Sequence, residues 1–185
     1  MDALEAIHTR QSIGDVRPDP VPREMIERLL DAAVQAPNHF RVRPWRFVVL
    51  TGAGRERLGR VLAESLKRRN PDVPEVALEK EASKPLRAPV VIAVGVDKPT
   101  DARLPEIENV CAVAAACQNL LLAAHALGLA AKWRTGGPAY DPMVKEFLGF
   151  QADQHLIAFL YIGYPVSESS PPNRPGFEDR VTWME

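Results

Sequence analysis

The stretch Val90-Val91-Ile92-Ala93-Val94-Gly95-Val96 decides the fold class. It is apolar without interruption and rich in β-branched residues, which suits a strand covered on both faces. Working outward, residues 105–127 repeat apolar positions at helical spacing and stop at Gly128, a residue suited to a helix C-terminus. Residues 130–134 read as a strand. Asp141 caps a helix to Leu148 that Gly149 ends, and residues 156–162 form the last clear strand. Upstream, residues 47–50 read as a strand and residues 55–69 as a helix. The break Pro71-Asp72-Val73-Pro74 follows, then a short charged helix over residues 75–83.

At the N-terminus, Asp2 and Glu5 make a capping box for a short helix whose apolar face is Leu4 and Ile7. Pro18, Pro20 and Pro22 hold an extended connector. Met25, Ile26, Leu29, Leu30, Ala33 and Val34 then mark a second helix, stopped by Pro37. With helices and strands interspersed, and neither a repeat nor a long linker, the pattern predicts one domain over residues 1–185. Its layers are α/β or α+β.

Composition narrows the function classes. A chain of 185 residues buries roughly 70% of its unfolded surface and needs no disulfide or metal staple. A net charge of −1 supplies no basic field for nucleic acid. Arg55 to Arg69 reads as the solvated face of a helix, since Glu56 and Glu64 interrupt it. Cys111 and Cys117, six residues apart on a helix, face different ways and cannot readily pair; buried free thiols in a reducing cytoplasm are expected. His8, His39, His125 and His155 are scattered without metal-ligand spacing. Residues 1–5 lack the pattern of a signal peptide. Glu108, Asn109, Gln118, Asn119 and His125 make residues 107–127 a buried helix, and no membrane partner is expected.

One apparent motif does not hold. Residues 47–55 read as strand, Gly-rich turn and helix, as in a dinucleotide-binding unit. Arg57 stands at the third glycine position, though, and no acidic residue ends a second strand about 20 residues later. A plain turn is expected. No nucleophile elbow, phosphate loop or zinc helix is present. A cofactor enzyme needs none, because the cofactor carries the hard chemistry.

Several segments, in order, resemble the FMN-dependent nitroreductase family. They are Arg10-Gln11-Ser12-Ile13, Arg17-Pro18-Asp19-Pro20-Val21-Pro22, and Ala36-Pro37 followed by Pro44-Trp45-Arg46-Phe47-Val48-Val49. Gln118-Asn119-Leu120, Trp133-Arg134-Thr135-Gly136, Leu160-Tyr161-Ile162-Gly163-Tyr164-Pro165 and Asn173-Arg174-Pro175 complete the set. The likeness spans nearly the whole chain and is greatest to the compact, YdjA-type members without a large inserted domain.

The resemblance implies an α+β fold, with a central, mainly antiparallel sheet flanked by helices. It also implies a homodimer with FMN at the subunit interface, the 105–128 helix at the two-fold contact and the C-terminal tail crossing to the partner. Arg10, Gln11 and Ser12 would hold the phosphate and ribityl end, with Arg174 reaching the phosphate. Gln35, His39 and Arg41 would approach the flavin held mainly by the other subunit. Trp133, Arg134 and Thr135 would lie along the ring, and Trp133 and Phe40 would stack on aromatic ligands. No side chain is singled out as an essential acid or base.

The implied reaction is ping-pong, from NAD(P)H to FMN and then to a small aromatic acceptor such as a nitroaromatic or quinone. A non-catalytic FMN store or sensor is the alternative within the resemblance, and a flavin-free binding module the alternative outside it. Two departures bear on these. Gln11 and Gly14 replace basic residues of many relatives, which thins the phosphate clamp unless Arg17 or Arg174 compensates. Arg41 and Arg43 stand where many relatives carry Asn and Gln; beside a flavin they would favour anionic substrates or reduced flavin, and facing solvent they would do neither.

Overall fold

A computed structural model describes residues 1–101, 103–167, 170 and 172–185. Four strands form one sheet in the order β1-β2-β4-β3: β1 Trp45–Leu50, β2 Val90–Val96, β3 Ala130–Arg134 and β4 His155–Gly163. Every pairing is antiparallel, so the fold is α+β. The antiparallel β1–β2 pair also disposes of the dinucleotide-binding unit, which needs parallel strands joined by a crossover helix.

β2 is buried along its whole length, as its composition predicts. Its even-numbered residues Val90, Ile92, Val94 and Val96 face one core, with Ala158, Leu160 and Ile162 of β4. Val91 and Ala93 face a second core on the opposite side, with Phe159. Gly95 sits at a register shift, and a Cβ there would come within 2.3 Å of the Phe150 ring. Only glycine lets that ring close the end of the second core.

The first core is roofed by α2 (Arg23–Ala33) and α5 (Glu106–Ala126), which contribute Ile26, Leu29, Ala33, Val113, Cys117, Leu120 and Ala124. By length and composition α5 could cross a membrane; here eight of its residues are buried. The second core is covered by α3 (Gly52–Arg69) and α7 (Pro142–Phe147), through Leu58, Leu62 and Val144. α1 (Ala3–Thr9), α4 (Glu75–Ser83) and the short α6 (Gly137–Tyr140) complete the helices described.

Several local expectations change. α3 begins at Gly52, so the Gly52-Ala53-Gly54 turn is its first turn. Residues 137–140 add a helical turn before Asp141, whose side chain accepts the Met143 N–H at 2.9 Å and caps α7. The α1 capping box is present, yet Leu4 and Ile7 are 68% and 45% exposed, because none of the described residues covers that face. Cys117 is buried, and burial pushes its thiol up to about 12. Cys111 is exposed, contrary to expectation, because it lies on the side of α5 turned away from the sheet.

Candidate functional site

One cluster forms where the N-terminal segment meets the β3 edge. Residues 10–17 run beside the sheet, tied by Ile13 N–H to Ala131 O at 3.2 Å and by Arg17 N–H to Tyr164 O at 2.8 Å. A bridge between Val16 and Pro165 continues the attachment. Arg10 ends α1, its N–H donating to Ala6 O. The tail returns to the same place: Arg174 donates to Ile7 O at 3.3 Å and to Arg10 O, and Gln11 donates to Ser170 O at 2.8 Å. Arg10, Gln11 and Arg174 thus come together, with Ser12 exposed beside them.

The charge balance there is uneven. Partial burial, and then the neighbouring Arg174, lower the Arg10 pKa from its ordinary value. No ion pair to a carboxylate is formed by Arg10 or Arg174 among the described residues. Two guanidinium groups held together, with no carboxylate paired to either among the described residues, suit an anion, and above all a phosphate, which a guanidinium can bind through two hydrogen bonds.

Further along the β3 edge lies a cavity of about 180 Å³. Arg134, Thr135 and Gly136 line it, with Lys84, Arg87 and Tyr161 opposite. The Arg134 guanidinium stands 5.6 Å from the centre of the Tyr161 ring. Burial pushes the Tyr161 phenol above its ordinary value, against the opposing effect of the Arg134 and Arg87 cations. Gly136 has φ +98°, a conformation that frees the following backbone to turn at the cavity rim. Trp133 points the other way: its indole N–H donates to Ile157 O at 3.0 Å and its ring packs on the first core. Its contribution to this cavity is therefore to anchor the strand.

The remaining predicted residues lie near the other edge of the sheet. Gln35 donates to Asp31 O at 3.2 Å, after the end of α2. His39 meets the Glu108 carboxylate near the start of α5, and its ring contacts the exposed Phe40 at 4.1 Å between centres. Phe40, Arg41 and Arg43 all have positive φ, at +51°, +56° and +53°. Each costs roughly 1–2 kcal/mol for a residue with a Cβ. Asn38 holds the loop closed by accepting the Arg43 N–H at 2.9 Å. Such strain, on an exposed loop carrying His39, Phe40 and Arg41, is what binding loops tend to store.

Within one chain these two groups do not meet. β1, which follows the loop, is separated from β3 by two intervening strands, or roughly 14 Å at the usual strand spacing. Sequence reasoning did not single out Lys84, Arg87 or Tyr161, which line the 180 Å³ cavity. The alternation Lys132, Trp133, Arg134 carried a usable signal, since it puts two cations on one face of a strand. A larger cleft of about 640 Å³ lies between residues 18–30 and the end of β1 with the starts of α3 and β2, and is lined by none of the predicted residues.

The family model for nitroreductases matches residues 7–164. The chain belongs to the nitroreductase family. Among its relatives is YdjA of Escherichia coli K12, provisionally named an NAD(P)H nitroreductase, 32% identical over 171 residues and covered to 92% in both chains. The crystal structure of a nitroreductase-like family protein from Bacillus cereus superposes with a TM-score of 0.86 at 25% identity, covering 100% of this chain and 97% of that one. A provisionally named nitroreductase from Desulfovibrio desulfuricans, solved with FMN, gives a TM-score of 0.75 at 26% identity and covers 100% and 99%. The segments that carry the resemblance in sequence therefore sit on the fold that the family uses.

Proposed function

We propose that this protein is an FMN-dependent oxidoreductase that works in the cytoplasm as a homodimer, each 185-residue chain acting as one domain. The observation that carries the reading is the split site. Arg10 and Arg174, with no carboxylate paired to them among the described residues, gather at one edge of the sheet, and a strained, exposed loop stands at the other. A two-fold partner would bring the loop of one copy to the cations of the other.

In that arrangement Arg10, Gln11, Ser12 and Arg174 hold the phosphate. The backbone of Arg134, Thr135 and Gly136 lies along the ring, where its N–H groups bias the cofactor's electronics. Gln35, His39 and Arg41 of the second copy close the site, and Phe40 offers an aromatic face to the acceptor. The chemistry the cofactor supplies is two-electron transfer in ping-pong order, from NAD(P)H to a nitroaromatic, quinone or similar acceptor. The FMN in the Desulfovibrio relative and the NAD(P)H nitroreductase name of YdjA support this assignment.

Exposed apolar residues support the dimer. Leu4 and Ile7 on α1, Ile107 on α5, and Val181, Trp183 and Met184 in the tail are all uncovered in one chain. The tail, crossing to the partner, would lay those last three residues along the free edge of β1. Initial rates measured against NADH or NADPH and a nitroaromatic test the order: parallel double-reciprocal lines are expected. Intersecting lines, or a monomer in sedimentation velocity, would overturn it.

A further inference from the structure

β3 alternates in direction. Ala131 and Trp133 belong to the first core, so Lys132 and Arg134 project from the opposite face. Lys132 stands across from Tyr161 in the ladder and is half-buried. Its stem lies on the backbone of Gly14: a Cβ added there would be 3.3 Å from Lys132 Cδ and 3.4 Å from Nζ. The bare glycine leaves the side chain room to lie close along this backbone. Among the described residues the Lys132 ammonium has neither a hydrogen-bond nor an ion-pair partner.

Its position is as telling as its isolation. The Ile13–Ala131 hydrogen bond seats Gly14 next to Lys132, two residues beyond the Arg10-Gln11-Ser12 segment. Arg134, two residues along the same face, opens into the 180 Å³ cavity. Lys132 therefore lies between the cations suited to a phosphate and the cavity beside Thr135 and Gly136. A half-buried ammonium with no carboxylate paired to it among the described residues, placed between two cationic groups, is open to an electron-rich ligand.

We infer that Lys132 is a further cofactor-binding residue, admitted by Gly14, whose ammonium faces the flavin beyond its phosphate. The inference rests on the flavin reading of this site. It makes Gly14 and Lys132 one unit, with the cation delivered from β3 across a glycine in the N-terminal segment. A cation there also favours the extra negative charge of reduced flavin.

Fluorescence-quenching titrations of the flavin-free protein with FMN and with riboflavin test this. Lys132→Met keeps the stem and removes the charge, so it should weaken both flavins by a similar factor, about tenfold. Lys132→Arg should retain most of the affinity. Gly14→Val, which leaves every charge in place, should displace the ammonium and reproduce part of the loss. The midpoint potential of flavin bound to Lys132→Met should be more negative than in the wild type.

If the wild type binds FMN and Lys132→Met matches it within about twofold for both flavins, with the same potential, Lys132 only covers Gly14 and the inference fails alone. A loss confined to FMN overturns the placement, making Lys132 a phosphate ligand. If the wild type binds neither flavin, the reading of the site fails and takes the inference with it.

Discussion

Replacing Arg10 with Met should separate binding from folding. In the flavin-free protein Arg10 is partly desolvated and stands beside Arg174, and both effects work against its charge. Its removal should leave the melting temperature unchanged or slightly raised. With FMN the sign reverses, because a charge-assisted hydrogen bond to phosphate contributes about 1.5–3 kcal/mol, or roughly 12- to 150-fold in Kd. At a free FMN concentration of 100 Kd the wild type gains about 2.7 kcal/mol on binding. A loss of about thirtyfold, within that range, leaves about 0.9 kcal/mol at the same concentration. For a 185-residue chain the FMN-induced rise in melting temperature should shrink from roughly 5–11 °C to roughly 2–4 °C. Thermal melts with and without FMN, paired with a fluorescence titration, read both quantities. An Arg10→Met protein that binds FMN within about twofold of the wild type, or melts well below it without FMN, would refute the reasoning.

Other sites give independent expectations. A Cβ at Gly59 would lie 2.1 Å from the Ala82 carbonyl oxygen of α4, so Gly59→Ala should cost about 1–3 kcal/mol through overpacking, less about 1 kcal/mol of helix propensity regained. Gly54→Ala, whose Cβ would meet only Leu50 side-chain atoms at 3.7 Å or more, should be neutral or stabilising when both variants are compared with the wild type by urea titration. At Asp141, burial works to raise the carboxyl pKa, but hydrogen bonds from Ser65 and from the Met143 and Val144 N–H groups, with the Arg69 charge, outweigh it and hold it low. A depressed folded-state value stabilises the fold above the ordinary carboxylate range, and that stabilisation is lost as pH falls through the folded value. Asp141→Ala should therefore cost about 0.5–2 kcal/mol near neutrality, with the gap to wild type closing below roughly pH 4 in melts across pH. Cys117 should resist thiol reagents in the native protein and react only after denaturant is added, since burial keeps it protonated; labelling in native buffer would contradict its buried place.

The sheet was the most legible part of the sequence. The apolar run Val90–Val96 has no polar break and is rich in β-branched residues, which together suit a strand with cover on both faces. The order of strands was not legible, because alternation reports which face is buried and not which neighbour lies beside it. Helix starts were misread where glycine was taken for a turn, as at Gly52: α3 begins there, and the Gly54 N–H closes its first turn on Thr51 O at 2.8 Å. Arg10, Gln11 and Arg174 lie together through contacts between residues more than 150 positions apart, which no local pattern encodes. Lys132 went unnoticed for a related reason. Its meaning depends on the missing side chain of Gly14, 118 positions away. The positive φ of Phe40, Arg41 and Arg43 was also invisible, since none is a residue type that favours it.

The central claim is that this chain binds a reducible flavin, and the visible absorption spectrum of the purified, FMN-supplemented protein tests it most directly. After removal of free flavin, a retained flavin band that bleaches within seconds of anaerobic NADH or NADPH addition is the result predicted here. A band that persists would point to a flavin store or sensor in place of an enzyme. No band at all would contradict the account at its root.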